Sequence, residues 1–363
     1  MLLFLLVSFV IANLVVSLKG GKSELLILLT SIFIVFVFVG SRDMTDWMNY
    51  VEDYKRNDQG YASNGQILFY YINEFGRKLG LSFDTWRFLI SVIGLFLYYK
   101  FITKFSPLPN VVYAGYLSYL MILDDVQIRN FLGCAVFCVA LTILIKHQKR
   151  WRFNYFLVLA CASMIHNSFW IYLLFLFVPD KLDNTRMVKY IGIGGSILTI
   201  AVVFVRSYIS NIVMLFSVVA GDKAMGYADM EIGFGGVIYV VAHTISFIGV
   251  YYVIKQMEKS KHNLSKTEYE KNIKVLKTIL LVDGLSFAIL PTVILAMTFY
   301  RLIRNLFFIN AIAFTIGMKY NKNFFITFVI YVAYIAIFAY FDLNTQMGME
   351  IVVNPFFNNN IYF

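Results

Sequence analysis

The chain has 363 residues, of which 60% are hydrophobic and only 14% charged, where a soluble domain carries about 25% charged residues. Its mean hydropathy of +0.72 excludes a large soluble core, and no polar stretch is long enough for a soluble domain of any size, so one integral membrane domain over residues 1–363 is expected. The net charge of +10 would suggest nucleic acid in a soluble protein; in a membrane chain its distribution over the loops matters more, and nucleic-acid binding is set aside.

Apolar runs close to the ~20 residues a span needs occur at 1–18, 24–40, 84–103, 108–123, 126–145, 189–206, 234–254, 277–297, 302–318 and 324–341. The first has no basic residues before it and no small-residue cleavage site, and Lys19 and Lys22 follow it, so a retained helix is expected rather than a signal peptide. The stretch 153–178 is interrupted by His166-Asn167-Ser168. Basic residues flank it on both sides: Lys146, Lys149, Arg150 and Arg152, then Lys181, Arg186 and Lys189. Two short arms that enter and return explain those flanks better than one span. The expected fold is all-α, a polytopic transmembrane bundle of about 11–12 segments.

With the N-terminus outside, the inner loops collect most of the Lys and Arg and few acids, and both termini fall outside. The basic inner loop is 255–274, read as a topology-setting segment near anionic lipid. The long outer loop, 41–83, carries an amphipathic stretch over 64–80. There Ile67, Leu68, Tyr71, Ile72, Phe75 and Leu79 recur at helical spacing, which suits a helix lying on the membrane surface. A second outer loop spans 207–233, and a polar tail, 342–363, is assigned no functional weight. Cys134, Cys138 and Cys161 lie in apolar runs and read as packing residues, and His243 reads as a packed core histidine. Gly192 to Gly195 sit inside a membrane segment, where small residues allow close helix packing.

Motifs of soluble enzymes are missing: there is no phosphate-binding glycine loop before Lys-Ser/Thr, no HExxH and no GxSxG. What stands out is polar groups at the outer ends of helices. Arg42 and Asp43 close the second segment, and Asp46, Tyr50 and Tyr54 follow at i, i+4 spacing on one helical face. Asp124, Asp125 and Arg129 mark an outer turn, His166 separates the two arms, and Arg301 and Arg304 open the span 302–318 from outside. Arginine beside an apolar run is costly, about 2.5–3.5 kcal/mol on insertion scales, and lines a cavity or pairs with another charge. Four such arginines suit a phosphate or pyrophosphate, which a guanidinium grips in a bidentate fork; the alternative for each is a structural ion pair with Asp43, Asp124 or Asp125. His166 titrates near neutrality and could take a proton from a sugar hydroxyl, with Asp46 as the competing base. A lone histidine of this kind does not suggest a metal site.

Gly40-Ser41-Arg42 with Asp46 and Tyr50 resembles the first outer-loop motif of the EpsG-like, Wzy-type polysaccharide polymerases of bacteria. Gln127-Ile128-Arg129-Asn130 resembles their arginine-headed helix, Ile165-His166-Asn167-Ser168 their histidine-serine break, and Arg301 with Arg304 their late arginines. The resemblance covers roughly residues 25–340; the tail motif Asn354-Pro355-Phe356-Phe357 is only loosely similar. It implies a multi-pass protein of the bacterial cytoplasmic membrane with its active site outside, acting in exopolysaccharide or capsule synthesis. The reaction implied is glycosyl transfer from a glycan on undecaprenyl pyrophosphate to a lipid-linked acceptor sugar. No cofactor is implied, and the implied partners are membrane lipid and the flippase and chain-length regulator of the same pathway. The catalytic residues would be His166, Asp46 and Arg129, with Arg42, Tyr50, Arg301 and Arg304 binding substrate.

Three alternatives stand beside this reading. Ligation of a finished glycan to another acceptor would use the same groups. A flippase or transporter of lipid-linked oligosaccharide would place charges near the bilayer midplane, where Asp283 is the main candidate. A membrane acyltransferase would need its histidine reachable from inside, and His166 is expected to face outward.

Overall fold

The computed structural model describes residues 1–18, 20–56, 60–180, 190, 193–195, 197, 201, 235–295, 299–320, 324–345 and 348–363. The expected loop 207–233 and nearly all of the segment 189–206 lie outside the described residues. Among the described residues all regular structure is helical, apart from one isolated bridge between Ser41 and Asn360. Five helices are long and apolar enough to cross a membrane, and four shorter apolar helices accompany them. The chain is a polytopic helical membrane protein, as its composition required.

Two helices open the chain, α1 (Leu2–Leu18) and α2 (Glu24–Gly40). Helix α2 starts where the Ser23 hydroxyl accepts the Leu26 N–H at 3.2 Å, satisfying one of the orphan donors of the first turn. Buried amides join these helices to a third element. Asn13 Nδ2 donates to Thr30 Oγ1 at 3.0 Å, and Asn110 Nδ2 donates to Asn13 Oδ1 at 2.8 Å. In hydrocarbon, such side-chain bonds fix helix neighbours where no hydrophobic effect does.

The long loop is largely helical. It contains α3 (Trp47–Arg56), a single turn (Gly60–Ser63) and α4 (Ile67–Lys78), the last within the amphipathic stretch expected at 64–80. Phe69 and Asn73 on α4 are buried while Tyr71 and Phe75 are exposed, so the helix packs one side on the protein and leaves aromatic rings on the other. Then α5 (Phe83–Phe105), capped by Ser82, runs roughly 35 Å at 1.5 Å per residue, long enough to span.

The next rod, α6, is built from Pro109–Gly115, a π-turn at Tyr116–Leu120, and Met121–Val126. The π-turn, which inserts an extra residue into the helix, has no signature in the apolar run 108–123. Asp124, beyond it, accepts from Tyr116 Oη at 3.0 Å and Tyr98 Oη at 3.3 Å. Gln127 leaves helical geometry, and α7 (Ile128–Lys146) begins at once, which sets Arg129 in its first turn.

The two expected arms are present. Helix α8 (Trp151–Ile165) has 15 residues, and a 3₁₀ arm (Asn167–Phe177) has 11. At about 1.5 and 2.0 Å rise per residue both reach roughly 22 Å, so the second returns to the level where the first began. There Asp180 accepts Arg152 Nη1 at 2.9 Å on both oxygens, and Trp151 Nε1 at 2.9 Å. His166 is the tip of this hairpin.

The remaining long helices are α9 (Gly235–Lys259), α10 (Lys266–Ser286), α11 (Tyr300–Tyr320) and α12 (Phe324–Leu343), with short helical pieces at Leu290–Leu295, Met349–Val353 and Asn354–Asn358. Helices α9 and α10 extend through most of the expected basic loop 255–274, leaving only a short 3₁₀ turn, Lys261–Asn263, and its flanks between them. His243 is a packed core histidine, with Nε2 2.9 Å from the Asp283 carbonyl. Gly195 packs so closely on Phe287 that a Cβ there would collide with it, which is the small-residue contact expected of that glycine run.

The tail is not a free end. Arg42 N donates to Asn359 O at 3.1 Å, Ile361 N to Gly40 O at 3.0 Å, and Asn360 Nδ2 to Val37 O at 3.0 Å. Asp342, read from the sequence as the first tail residue, is buried and accepts from Tyr119 Oη and from Tyr239 Oη at 2.5 Å. Gly40 is required by this closure, because a Cβ would collide with the Asn360 side chain and the Tyr362 ring. Gly40→Val is therefore expected to displace the tail at a cost of about 1–3 kcal/mol. Faster proteolysis of a tag after Phe363, with a lower unfolding temperature, is the expected readout; unchanged proteolysis would mean that the tail is not docked.

Candidate active site

Most groups singled out in the sequence gather at one end of the bundle, under the long loop. Asp46 precedes α3, and its carbonyl accepts the Tyr50 N–H at 3.0 Å, so the i, i+4 relation between the two holds. Asp46, Asn49, Tyr50, Asp53, Tyr61, Asn64, Gln66 and Arg129, with Gly60, line a polar pocket of about 280 Å³.

Arg129 forms one wall. Its Nε donates to Tyr50 Oη at 3.3 Å and Nη1 to Gln66 Oε1 at 3.0 Å. The guanidinium lies over the rings of Tyr61 (4.9 Å to the centroid) and Tyr50 (5.4 Å). Cation–π contacts hold the charge without neutralising it, and among the described residues Arg129 makes no ion pair. It is a positioned cation that acts on the Asp46 carboxylate without a direct ion pair.

Burial holds the Asp46 carboxyl above the usual carboxylate range, although Arg129 and Arg301 both pull it down. No side-chain hydrogen bond restrains it among the described residues. Asp53, in the same pocket, accepts from Tyr61 Oη.

His166 closes the hairpin tip. Its Nδ1 accepts the Ser168 N–H at 3.3 Å and lies 2.7 Å from Ser168 Oγ. An accepting Nδ1 leaves the proton of the neutral ring on Nε2. The neutral ring then presents Nε2 as a donor. Asn167 Nδ2 donates to the carbonyl of Asn64, which ties the tip to a residue of the pocket.

The late arginines differ from one another. Arg301 is half-buried, its Nε has no partner, and its charge acts on both Asp46 and His166. Arg304 is fully buried, donates from Nη2 to Gln127 Oε1 at 2.6 Å and stacks on Tyr300 at 5.4 Å. Its charge acts on the buried carboxylates of Asp124 and Asp342.

Arg42 is elsewhere. It pairs with Asp84 at 3.0 Å, donates to the Val39 carbonyl at 2.6 Å and stacks on Trp47, and it does not line the pocket. The sequence did not single out Arg87. It makes a buried 2.6 Å ion pair with Asp125 and reaches Ser41 O at 3.3 Å, binding the ends of α2, α5 and α6 together. That pair accounts for Asp125, which the sequence had set beside the other arginines. Asp53, Tyr61, Asn64 and Gln66 were also missed, because loop polar residues look ordinary until α3 and α4 fold over Arg129.

A carboxylate of raised pKa, a neutral imidazole presenting N–H, and two cations with free donor capacity can together move a proton and stabilise an anionic leaving group. No curated protein and no solved structure matches the chain at a significant level. The EpsG family model matches residues 2–352, nearly the whole length, and includes every residue of the pocket. This chain is a member of the EpsG family and a polytopic helical membrane protein.

Proposed function

We propose that the protein polymerises lipid-linked oligosaccharide repeat units, with Asp46 as general base and Arg129 and Arg301 holding the departing pyrophosphate. The observation that carries this reading is the presence, in one pocket, of a carboxylate whose proton affinity burial has raised and an arginine held by tyrosine rings and an amide rather than by a close ion pair. The acceptor hydroxyl gives its proton to Asp46 as its oxygen bonds to the anomeric carbon of the donor glycan. The bond from that carbon to the pyrophosphate oxygen breaks, and the electron pair leaves with the polyprenyl pyrophosphate. Guanidinium donors aimed at that developing charge lower the barrier.

The neutral tautomer of His166 favours Asp46 as the base. With Nδ1 committed to Ser168, Nε2–H orients a sugar or phosphate oxygen. Tyr50, Tyr61, Asn49, Asn64 and Asp53 offer the rings, amides and carboxylate that suit a sugar, and about 280 Å³ is at the small end of ligand pockets. Glycosyl transfer and the outward-facing site fit the bacterial cytoplasmic membrane, where a flippase would deliver the substrate.

Removal of the protein from cells tests this reading. Long surface glycan is expected to disappear while single lipid-linked repeat units accumulate on the outer leaflet. Accumulation on the inner leaflet alone would instead indicate a transporter.

A further inference from the structure

Arg129 and Arg301 stand on different helices, α7 and α11, and a buried pair of amides joins those helices at the same level. Asn130 Nδ2 donates to Asn305 Oδ1 at 3.1 Å, and Asn305 Nδ2 donates back to Asn130 Oδ1 at 3.4 Å. Their residues are only 1% and 2% exposed. Beside the pair, Arg304 Nη2 donates to Gln127 Oε1 at 2.6 Å, and the Asn305 carbonyl accepts from Cys134 Sγ at 3.9 Å. The start of α7 is thus latched to the start of α11.

The two arginines flank this latch. Arg129 directly precedes Asn130 in the first turn of α7. Successive residues of a helix point about 100° apart. With Asn130 turned to α11, the Arg129 side chain turns to the pocket, where it reaches Tyr50 and Gln66. Arg301 lies one turn before Asn305, whose N–H donates to the Arg301 carbonyl at 3.0 Å. The backbone under each arginine is therefore tied to one member of the pair. Their charges converge, because both act on the Asp46 carboxylate.

A reciprocal pair does more than a single hydrogen bond. One bond leaves a hinge about which two helix ends can roll. Two opposed bonds between planar amides fix separation and roll together. Buried between membrane helices, neither amide has water as an alternative partner, so the pair holds. Two cations held at a set distance suit an anion with two phosphate groups, whereas a single phosphate is satisfied by one guanidinium fork.

We propose that Asn130 and Asn305 are positioning residues that set the spacing of Arg129 and Arg301, so that the two guanidinium groups grip one diphosphate together. This rests on the reading given under Proposed function. Neither amide touches the substrate; each acts through the arginine on its own helix. A second buried amide contact, Asn110 Nδ2 to Asn13 Oδ1 at 2.8 Å, joins α6 to α1 with no arginine beside it. It is the control for helix packing alone.

The test is equilibrium dialysis of inorganic pyrophosphate and of inorganic phosphate against the full-length protein in nanodiscs. Asn130→Leu and Asn305→Leu are each expected to weaken pyrophosphate binding about tenfold, the effect of misplacing one charge-assisted contact, and phosphate binding less than about twofold. The double variant should be no worse than either single one, because the two amides act as a unit. Asn13→Leu should lower the unfolding temperature as they do and keep the parental ratio of affinities. Should leucine prevent folding, Asn305→Ser is measured instead, with the same selective loss for pyrophosphate. A parental ratio in the Asn130 and Asn305 variants, or losses that multiply in the double variant, would leave the pair a packing contact and overturn the proposal. A parental protein that binds pyrophosphate no better than phosphate would overturn it together with the pyrophosphate role of the arginines. Should the parental protein prefer pyrophosphate yet elongate no glycan, the polymerase reading fails, and the ratio of affinities still decides the amide pair.

Discussion

Asp46→Asn is expected to lower kcat by about 10²–10⁴-fold, the usual loss for a general base, with little change in KM because the amide keeps the size and polarity of the carboxylate. The same residue sets the pH dependence. Burial holds its pKa above 3.8, and protonated Asp46 cannot accept a proton, so activity falls as pH drops through that raised value. Arg129 stabilises the carboxylate; Arg129→Gln should therefore move the acid limb to higher pH as well as slow the reaction. His166→Ala should weaken substrate binding more than it lowers kcat, because Nε2–H donates rather than accepts. Initial rates of the purified variants across pH check all three. If Asp46→Asn keeps the parental rate and His166→Ala loses it, the base is His166, and its ring must turn to free a nitrogen.

Arg129→Lys is expected to cost about 10²–10³-fold in kcat, comparable to removing one donor from an oxyanion hole. Charge is conserved in this change, so a large loss would come from geometry. Lysine cannot donate to Tyr50 and Gln66 while also presenting a fork to pyrophosphate, and it fits poorly between the Tyr50 and Tyr61 rings. Arg304 is a different case: its bond to Gln127 and its burial beside Tyr300 give it a structural task, so loss at that position should appear first in stability. Turnover assays beside thermal unfolding of each variant separate the two. Full activity with lysine at Arg129 would remove the phosphate role from that residue.

The spans were legible because a run of about 20 apolar residues has few alternatives to a membrane helix. The two-armed hairpin was legible from charge alone: Lys149 to Arg152 and the basic residues after Lys181 cannot lie at opposite faces without cost. Arg129, Asp46, Tyr50 and His166 stood out as polar groups at the edges of apolar runs, and the fold draws them under one loop. Arg42 carried the same signature, yet its guanidinium is occupied by Asp84 and by carbonyls of its own helix end. Sequence spacing cannot separate these cases, because Asp84 and Arg42 meet only when α2 packs on α5. Arg87 escaped notice for the same reason: its partner Asp125 arrives from a different helix. Asp342 was read as tail because it ends an apolar run, and the tyrosines that bury it come from α6 and α9.

The central claim, that the Asp46–Arg129 pocket joins lipid-linked glycans, is tested most directly by reconstitution. Purified protein in nanodiscs would be given lipid-linked repeat units and no nucleotide sugar. A ladder of lengthened lipid-linked glycans is predicted, with one polyprenyl pyrophosphate released per bond formed and no ladder from Asp46→Asn. Substrate that remains monomeric with the parental protein, or an equal ladder from Asp46→Asn, would contradict the account.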